Sequence, residues 1–280
     1  MKKKVVFCLV VLSAFTFYGC KKYLDWNITD KGRKPVLNSM LITDSVPQLY
    51  LYESVHILDE MSFKYITNAT VFAHINNTVY PLTYNTVNNY YTNDSLVFNE
   101  NNVVKLTVQT YLGNIENTAT IMKRLTNVSF DTTAYYDVTG NRAGFKIKLK
   151  WKDDSNTKNY YIIFATLYDD IHFFSIEDVS TIEVNGVYFL TDELFNGEWK
   201  TIEAVGFNYP QFDEKKQSGK LSIYLLSTDE SAYKYFLSSR RQNYVRNSPF
   251  SEPVMVFSNV SNGYGIVGSY SIAKQTFYLP

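Results

Sequence analysis

The strictest pattern in the chain lies between Phe145 and Lys152. Phe145, Ile147, Leu149 and Trp151 alternate with Lys146, Lys148, Lys150 and Lys152. A period of two sends successive side chains to opposite faces, so this stretch predicts a strand with one side on a core and a lysine side in water. Residues 153–159 then turn the chain. The stretch 160–168 carries Ile162, Ile163, Phe164, Ala165 and Leu167, apolar on both faces. That predicts a central strand, paired with the lysine strand as a hairpin.

Shorter runs of the same kind precede these two. The stretches 36–42, 49–55, 70–75, 78–84, 103–111 and 119–125 read as strands, with Asn76-Asn77 and Gly113-Asn114 as turns between neighbours. In 103–111, Val104, Leu106 and Val108 oppose Lys105, Thr107 and Gln109. Residues 129–144 read as a polar joint. Beyond the lysine strand, 201–207 and 220–226 are further strands. One helix is predicted at about 228–244. Ser227-Thr228-Asp229-Glu230 fits a capping box, Tyr233, Phe236, Leu237 and Tyr244 share a side, Arg240 and Arg241 sit late, and Ser248-Pro249 ends it. The apolar run Val254-Met255-Val256-Phe257, a glycine-rich segment and a last strand near 276–279 close the chain.

The 24 Tyr and 19 Phe agree with this pattern, since aromatic and β-branched side chains suit pleated sheets. The fold class is all-β. About seven short strands in 35–128 predict an immunoglobulin-like β-sandwich, and 129–280 a second β-rich domain carrying the helix. Tyr50, Tyr52, Tyr90, Tyr91, Tyr135, Tyr136, Tyr160, Tyr161 and Trp199 offer stacking surfaces for sugars or a partner, or simply bury in the sheets.

The start of the chain carries an address. Lys2, Lys3 and Lys4 form a basic segment, residues 5–18 an apolar one, and Gly19 precedes Cys20. This predicts a lipoprotein signal peptide over 1–19, cleaved between Gly19 and Cys20, with Cys20 lipidated and 20–34 as a tether. An ordinary secretory signal is the alternative. The apolar segment is short of the roughly 20 residues that span a bilayer, so the mature chain is expected to be anchored to the membrane rather than threaded through it. The only other cysteine, Cys8, leaves with the signal, which excludes disulfides, thiol catalysis and cysteine–metal sites from the mature chain. Of 27 basic side chains three leave as well, giving 24 against 27 acidic and a charge of about −3. That balance gives no basis for binding nucleic acid.

Candidate chemistry is sparse. Gly263-Tyr264-Gly265-Ile266-Val267-Gly268 matches G-x-G-x-x-G, but no helix pattern follows it, so the glycines are assigned to a bulge or close strand packing and not to a dinucleotide. His56, His74 and His172 lie far apart with no metal-binding or triad spacing. The acidic turns Asp153-Asp154-Ser155-Asn156 and Asp169-Asp170 lack the calcium-loop pattern and read as backbone turns. No catalytic residue, cofactor or metal is expected.

Asp192-Glu193-Leu194-Phe195-Asn196-Gly197, Tyr233-Lys234-Tyr235-Phe236, Pro249-Phe250-Ser251-Glu252-Pro253 and the run Ser258 to Gly268 follow one another in a fairly specific order. Together with the Gly19-Cys20 site, these motifs resemble a family of Bacteroidota outer-membrane lipoproteins, domain of unknown function 4249. The likeness covers essentially the whole mature chain. Cys20-Lys21-Lys22-Tyr23-Leu24-Asp25 also resembles the start of SusD-type lipoproteins. The resemblance implies an outer-membrane location, in either leaflet, and association with a TonB-dependent transporter; it supplies no catalytic residues. The expected function is therefore a non-enzymatic binding or accessory lipoprotein. A structural or adhesive surface protein is the alternative, and a hydrolase with dispersed catalytic residues carries the least weight. An interaction surface is expected around Asp192, Phe195, Trp199, Phe250, Glu252, Asn259 and Tyr264.

Overall fold

In the computed structural model, strand β1 (Pro35–Ile42) lies between β2 (Leu49–Glu53), which runs antiparallel to it, and β17 (Tyr264–Leu279), which runs parallel. Residues 32–279 are described, apart from 57–58, 60–63, 138–141, 168–169, 173, 177–180, 208–218 and 246–250. The signal peptide with Gly19 and Cys20, most of the tether, Asp169, Ser248-Pro249 and Phe250 lie outside the described residues.

From β2 the sheet continues through β5 (Tyr90–Thr92), β4 (Thr78–Asn85), β3 (Thr70–Ile75), β6 (Val103–Thr110) and β7 (Gly113–Thr120). From β17 it continues through β16 (Gly219–Thr228), β10 (Tyr160–Leu167), β14 (Val187–Thr191) and β13 (Ile182–Val184), with β11 (Asp170–His172) also on β10. A separate four-stranded sheet has the order β12 (Phe174–Ile176), β15 (Trp199–Phe207), β9 (Arg142–Lys152) and β8 (Ser129–Asp137). One α-helix, α1 (Glu230–Val245), completes the elements among the described residues. The chain is mainly β, as its composition predicts.

β4 changes layer along its length. Its first half pairs with β3 and its last residues, Thr83 to Asn85, with β5. The sheet thereby folds over a first core, in which Leu37, Leu41, Leu49 and Leu51 meet Val71, Ala73, Val104, Leu106 and Val108. Burial of each of these Leu and Val side chains contributes roughly 1.5–3 kcal/mol. A second core lies between the four-stranded sheet and the β10–β16 part of the large one. There Phe145, Ile147, Leu149 and Trp151 face Tyr161, Ile163, Ile223 and Leu225. A third cluster lies under α1, where Tyr233, Phe236 and Leu237 pack on Tyr160, Ile162, Phe189 and Leu226.

β17 serves all three. Val267 packs into the first core, Ala273 and Phe277 into the second, and Tyr270 into the third. Residues from Arg33 onward form one compact unit. Leu125, Val128 and Phe130, on either side of the expected boundary at 128/129, all pack against the second core, and Val260 and Val267 belong to the first.

Several expectations are met. The lysines of β9 are exposed and their alternate neighbours buried. β10 is central, flanked by β14 and β16. Asn76 and Asn77, at φ 48° and 65°, form the tight turn between β3 and β4, where both central residues need positive φ. The glycines of 263–268 do permit close packing: Gly265 has φ +109°, and a Cβ there would stand 2.0 Å from the Leu37 carbonyl oxygen.

Other expectations are corrected. β9 and β10 are not a hairpin; they belong to different sheets and face each other across the second core, where the Trp151 and Tyr161 rings lie 5.2 Å apart. The joint at 129–144 is largely strand, because β8 pairs with β9 along its full length. The strand expected at 119–125 ends at Thr120 and begins at Gly113. Ser227 does not cap the helix. It is buried in β16, and Asp229 caps instead, accepting the Ala232 N–H at 2.7 Å, so the helix starts at Glu230. The last strand is not confined to 276–279: it runs for 16 residues from Tyr264 and takes in Gly265 and Gly268.

Candidate functional site

Two turns meet at one end of the second core. The first leads from β9 into β10 through residues 153–159. The second follows β14 as a single 3-10 turn, Asp192–Leu194. Buried carboxylates tie them together. Asp153 accepts the Tyr161 hydroxyl at 2.6 Å and the Gly197 N–H at 2.7 Å. Burial pushes its carboxyl above the usual range, against the pull of those two donors. Asp192, 3% exposed, accepts the Asn159 N–H at 2.8 Å and its side-chain amide at 3.3 Å. Asp154 accepts the Asn156 N–H at 3.0 Å and pairs with Lys123 at 2.7 Å, and the Lys123 bond holds it below its ordinary value.

Between the turns opens a cleft of ≈ 400 Å³, lined by Ser155 to Lys158 on one side and Asp192, Glu193 and Asn196 on the other. Lys158 and Glu193 face each other at 3.0 Å across it. Its chemistry is that of hydroxyls, amides and one ion pair. It suits hydrogen bonding to a polar group and carries no nucleophile beside a general base.

Trp199 begins β15 next to this cleft. It is 49% exposed, and the Lys150 ammonium lies 4.6 Å from its ring centroid. On the same sheet Lys146 lies 5.0 Å from the Tyr135 ring. Lys152 donates to the Gly197 carbonyl oxygen. The lysine side of β9 and Trp199 therefore form one continuous surface.

The sequence-predicted surface residues separate into different settings. Asp192 and Phe195 are buried; Asp192 locks the turn and Phe195 packs edge-on against Trp151, 5.9 Å between centroids. Trp199 and Glu252 are exposed. Tyr264 is 47% exposed, with Lys34 5.7 Å from its ring. Asn259 works on the backbone: its side chain donates to the Val267 carbonyl at 2.7 Å and accepts the Val267 N–H at 3.0 Å. That edge of β17 extends beyond the reach of β16, whose ladder stops at Tyr270. The alternation by itself predicts only a wet face for the lysines of β9. The signal that marks them as a surface with Trp199 is the same alternation, combined with a register that no local pattern gives.

The histidines stay apart. His74 is in β3, 2.9 Å from the Thr107 hydroxyl; His172 is in β11; His56 follows β2. Among the described residues no group of three or more His, Cys, Asp or Glu side chains is placed to hold a metal ion. No helix among them is long and apolar enough to cross a membrane.

A family model described as a domain of unknown function (DUF4249) matches residues 21–276. No curated protein matches the chain.

Proposed function

We propose that this chain, which belongs to the DUF4249 family, is a Bacteroidota outer-membrane lipoprotein anchored through Cys20. It works as a non-enzymatic binding or accessory protein beside a TonB-dependent transporter. The observation that carries this is the Gly19-Cys20 pair at the end of a basic-then-apolar leader. Acyl chains on Cys20 hold the protein at the membrane, at roughly 0.8 kcal/mol per buried methylene. Cofactors play no part in this function, and nucleic acid is not a partner.

Within the mature chain, 35–128 is an immunoglobulin-like sandwich and 129–280 the domain that carries the working surface. Support comes from the two separate cores, one drawn mainly from 37–121 and the other from 145–225. The exposed members of the predicted surface, Trp199, Glu252 and Tyr264, are where a partner is met.

Crosslinking of the lipidated protein in native outer membranes, followed by mass spectrometry, tests the reading. One dominant TonB-dependent transporter is the expected product. Absence of any stable partner overturns the accessory role and favours a structural or adhesive surface protein. A Cys20→Ser variant that still fractionates with the membrane overturns the anchor.

A further inference from the structure

The four-stranded sheet has one face on the second core and one in solvent. On the solvent face β9 places Lys146, Lys148, Lys150 and Lys152 in a line. Alternate residues of a strand stand about 6.6 Å apart, so the line runs for about 20 Å. Cross-strand neighbours decide what such a line can do. Lys148 has an acid on each side in register, Asp131 of β8 and Glu203 of β15, and its ammonium is 3.2 Å from Glu203. The other three do not. Lys146 stands between Thr133 and Val205, Lys150 between Ser129 and Thr201, and Lys152 beside Trp199.

Like charges in a row repel, and the ordinary relief is an acid across the strand, as at Lys148. At the other three positions the relief is aromatic or backbone: Trp199 for Lys150, Tyr135 for Lys146 and the Gly197 carbonyl for Lys152. These contacts hold the ammonium groups in place without neutralising them. The line ends at Trp199, whose indole is half exposed.

We infer that the lysine line of β9, ending at Trp199, is a binding track for a linear acidic polysaccharide. Such a polymer repeats its carboxylates along an extended chain, which matches a one-dimensional row of cations. Its sugar C–H faces match the flat indole at the end. An anionic membrane fits less well. A plane of headgroups pressed on this face also meets Asp131 and Glu203, one on each side of the line. A small free anion would meet only one or two cations of a row this long. The proposal rests on the binding-protein reading above, but not on its anchor or its transporter.

The test uses the mature chain carrying Cys20→Ser, so that no lipid affects the readout. Polygalacturonate is the probe, amylose the neutral control, and phosphatidylglycerol vesicles the membrane arm. Binding to polygalacturonate is expected at about 50 mM salt and is expected to weaken steeply as salt rises. The triple variant Lys146→Gln, Lys150→Gln, Lys152→Gln should lose about tenfold or more in affinity and show a shallower salt slope. The corresponding triple Lys→Arg variant should retain binding. Lys148→Gln, which removes a cation already paired, should change affinity less than threefold, or about 0.6 kcal/mol or less. Trp199→Ala should weaken binding with the salt slope unchanged. The inference is overturned by no binding of the parent chain, by a Gln triple that binds as the parent does, by a Lys148→Gln loss as large as the triple's, or by lysine-dependent binding confined to the vesicles. A failed transporter crosslink leaves all of these outcomes readable.

Discussion

The Ser269 N–H donates to the Asp229 carboxylate at 3.0 Å, and the Asp229 N–H donates back to the Ser269 carbonyl at 3.0 Å. Asp229 also caps α1 through the Ala232 N–H. One side chain thus joins the helix start to β17 at the point where β16 ends. Two bonds to backbone N–H groups favour the ionised form, but burial outweighs them and pushes the carboxyl up to about 6.

The sign of the resulting pH dependence is fixed. The folded value lies above the ordinary 3.8, so the fold binds the proton more tightly than the unfolded chain does. The associated stability is fully present below about pH 3.8 and is lost as pH rises through about 6. Against an Asp229→Asn variant, which cannot ionise, the parent should lose on the order of 2 kcal/mol between pH 4 and pH 7. Melting temperatures of both proteins across that range measure it. A constant difference between the two would refute the prediction.

Gly265→Ala should be among the most damaging single changes. Its φ of +109° suits glycine, and the added methyl would collide with the Leu37 carbonyl across the β1–β17 pairing. Strain and overpacking together predict a loss of about 3 kcal/mol or more. Gly113→Ala is the comparison: φ is +131°, but nothing lies within 4 Å of the new methyl, so only the strain remains. Urea midpoints should rank the two in that order.

Asp192→Ala should cost about 1–3 kcal/mol, because it leaves the buried Asn159 N–H without an acceptor. Glu193→Ala, one residue along and paired only with exposed Lys158, should leave the urea midpoint unchanged. The contrast separates the lock of the turn from the rim of the cleft.

Trp151 is fully buried between Tyr161 and Phe195. Trp151→Ala should destabilise by about 3–5 kcal/mol, the usual range for removing a buried aromatic. Equilibrium unfolding followed by far-ultraviolet circular dichroism avoids reliance on the lost fluorophore.

The sequence revealed β9 because a period of two with lysine on every second position has a single interpretation. It hid β17 because Gly265 and Gly268 occupy strand positions chosen by contacts far away in the chain, with Leu37 and with Ala232. Such contacts leave no local period. The helix cap moved by two residues for a related reason. Ser227 and Asp229 both suit a cap, and the ladders of β16 with β10 and β17 claimed Ser227 and Thr228 first. The hairpin expectation failed because a short acidic turn looks the same whether the chain returns to its own sheet or crosses to the next. At the candidate surface, the sequence places Asp192 and Phe195 together on an interaction surface. Only the third dimension shows that Asn159 draws Asp192 inward while Leu194 stays outside, 74% exposed.

The parallel pairing of β1 with β17 also sets the order in which this chain can become native. The Ser269 hydroxyl bonds the carbonyl of Leu41, which lies 228 positions earlier in the chain. A ribosome delivers β1 long before it delivers the strand that seals it. Until then the growing chain carries an open strand edge beside Leu37 and Leu41, which invites pairing with other chains. Contacts this distant along the sequence also make folding slow. A product cut short before residue 264 is therefore expected to be not a smaller folded protein but a sticky one.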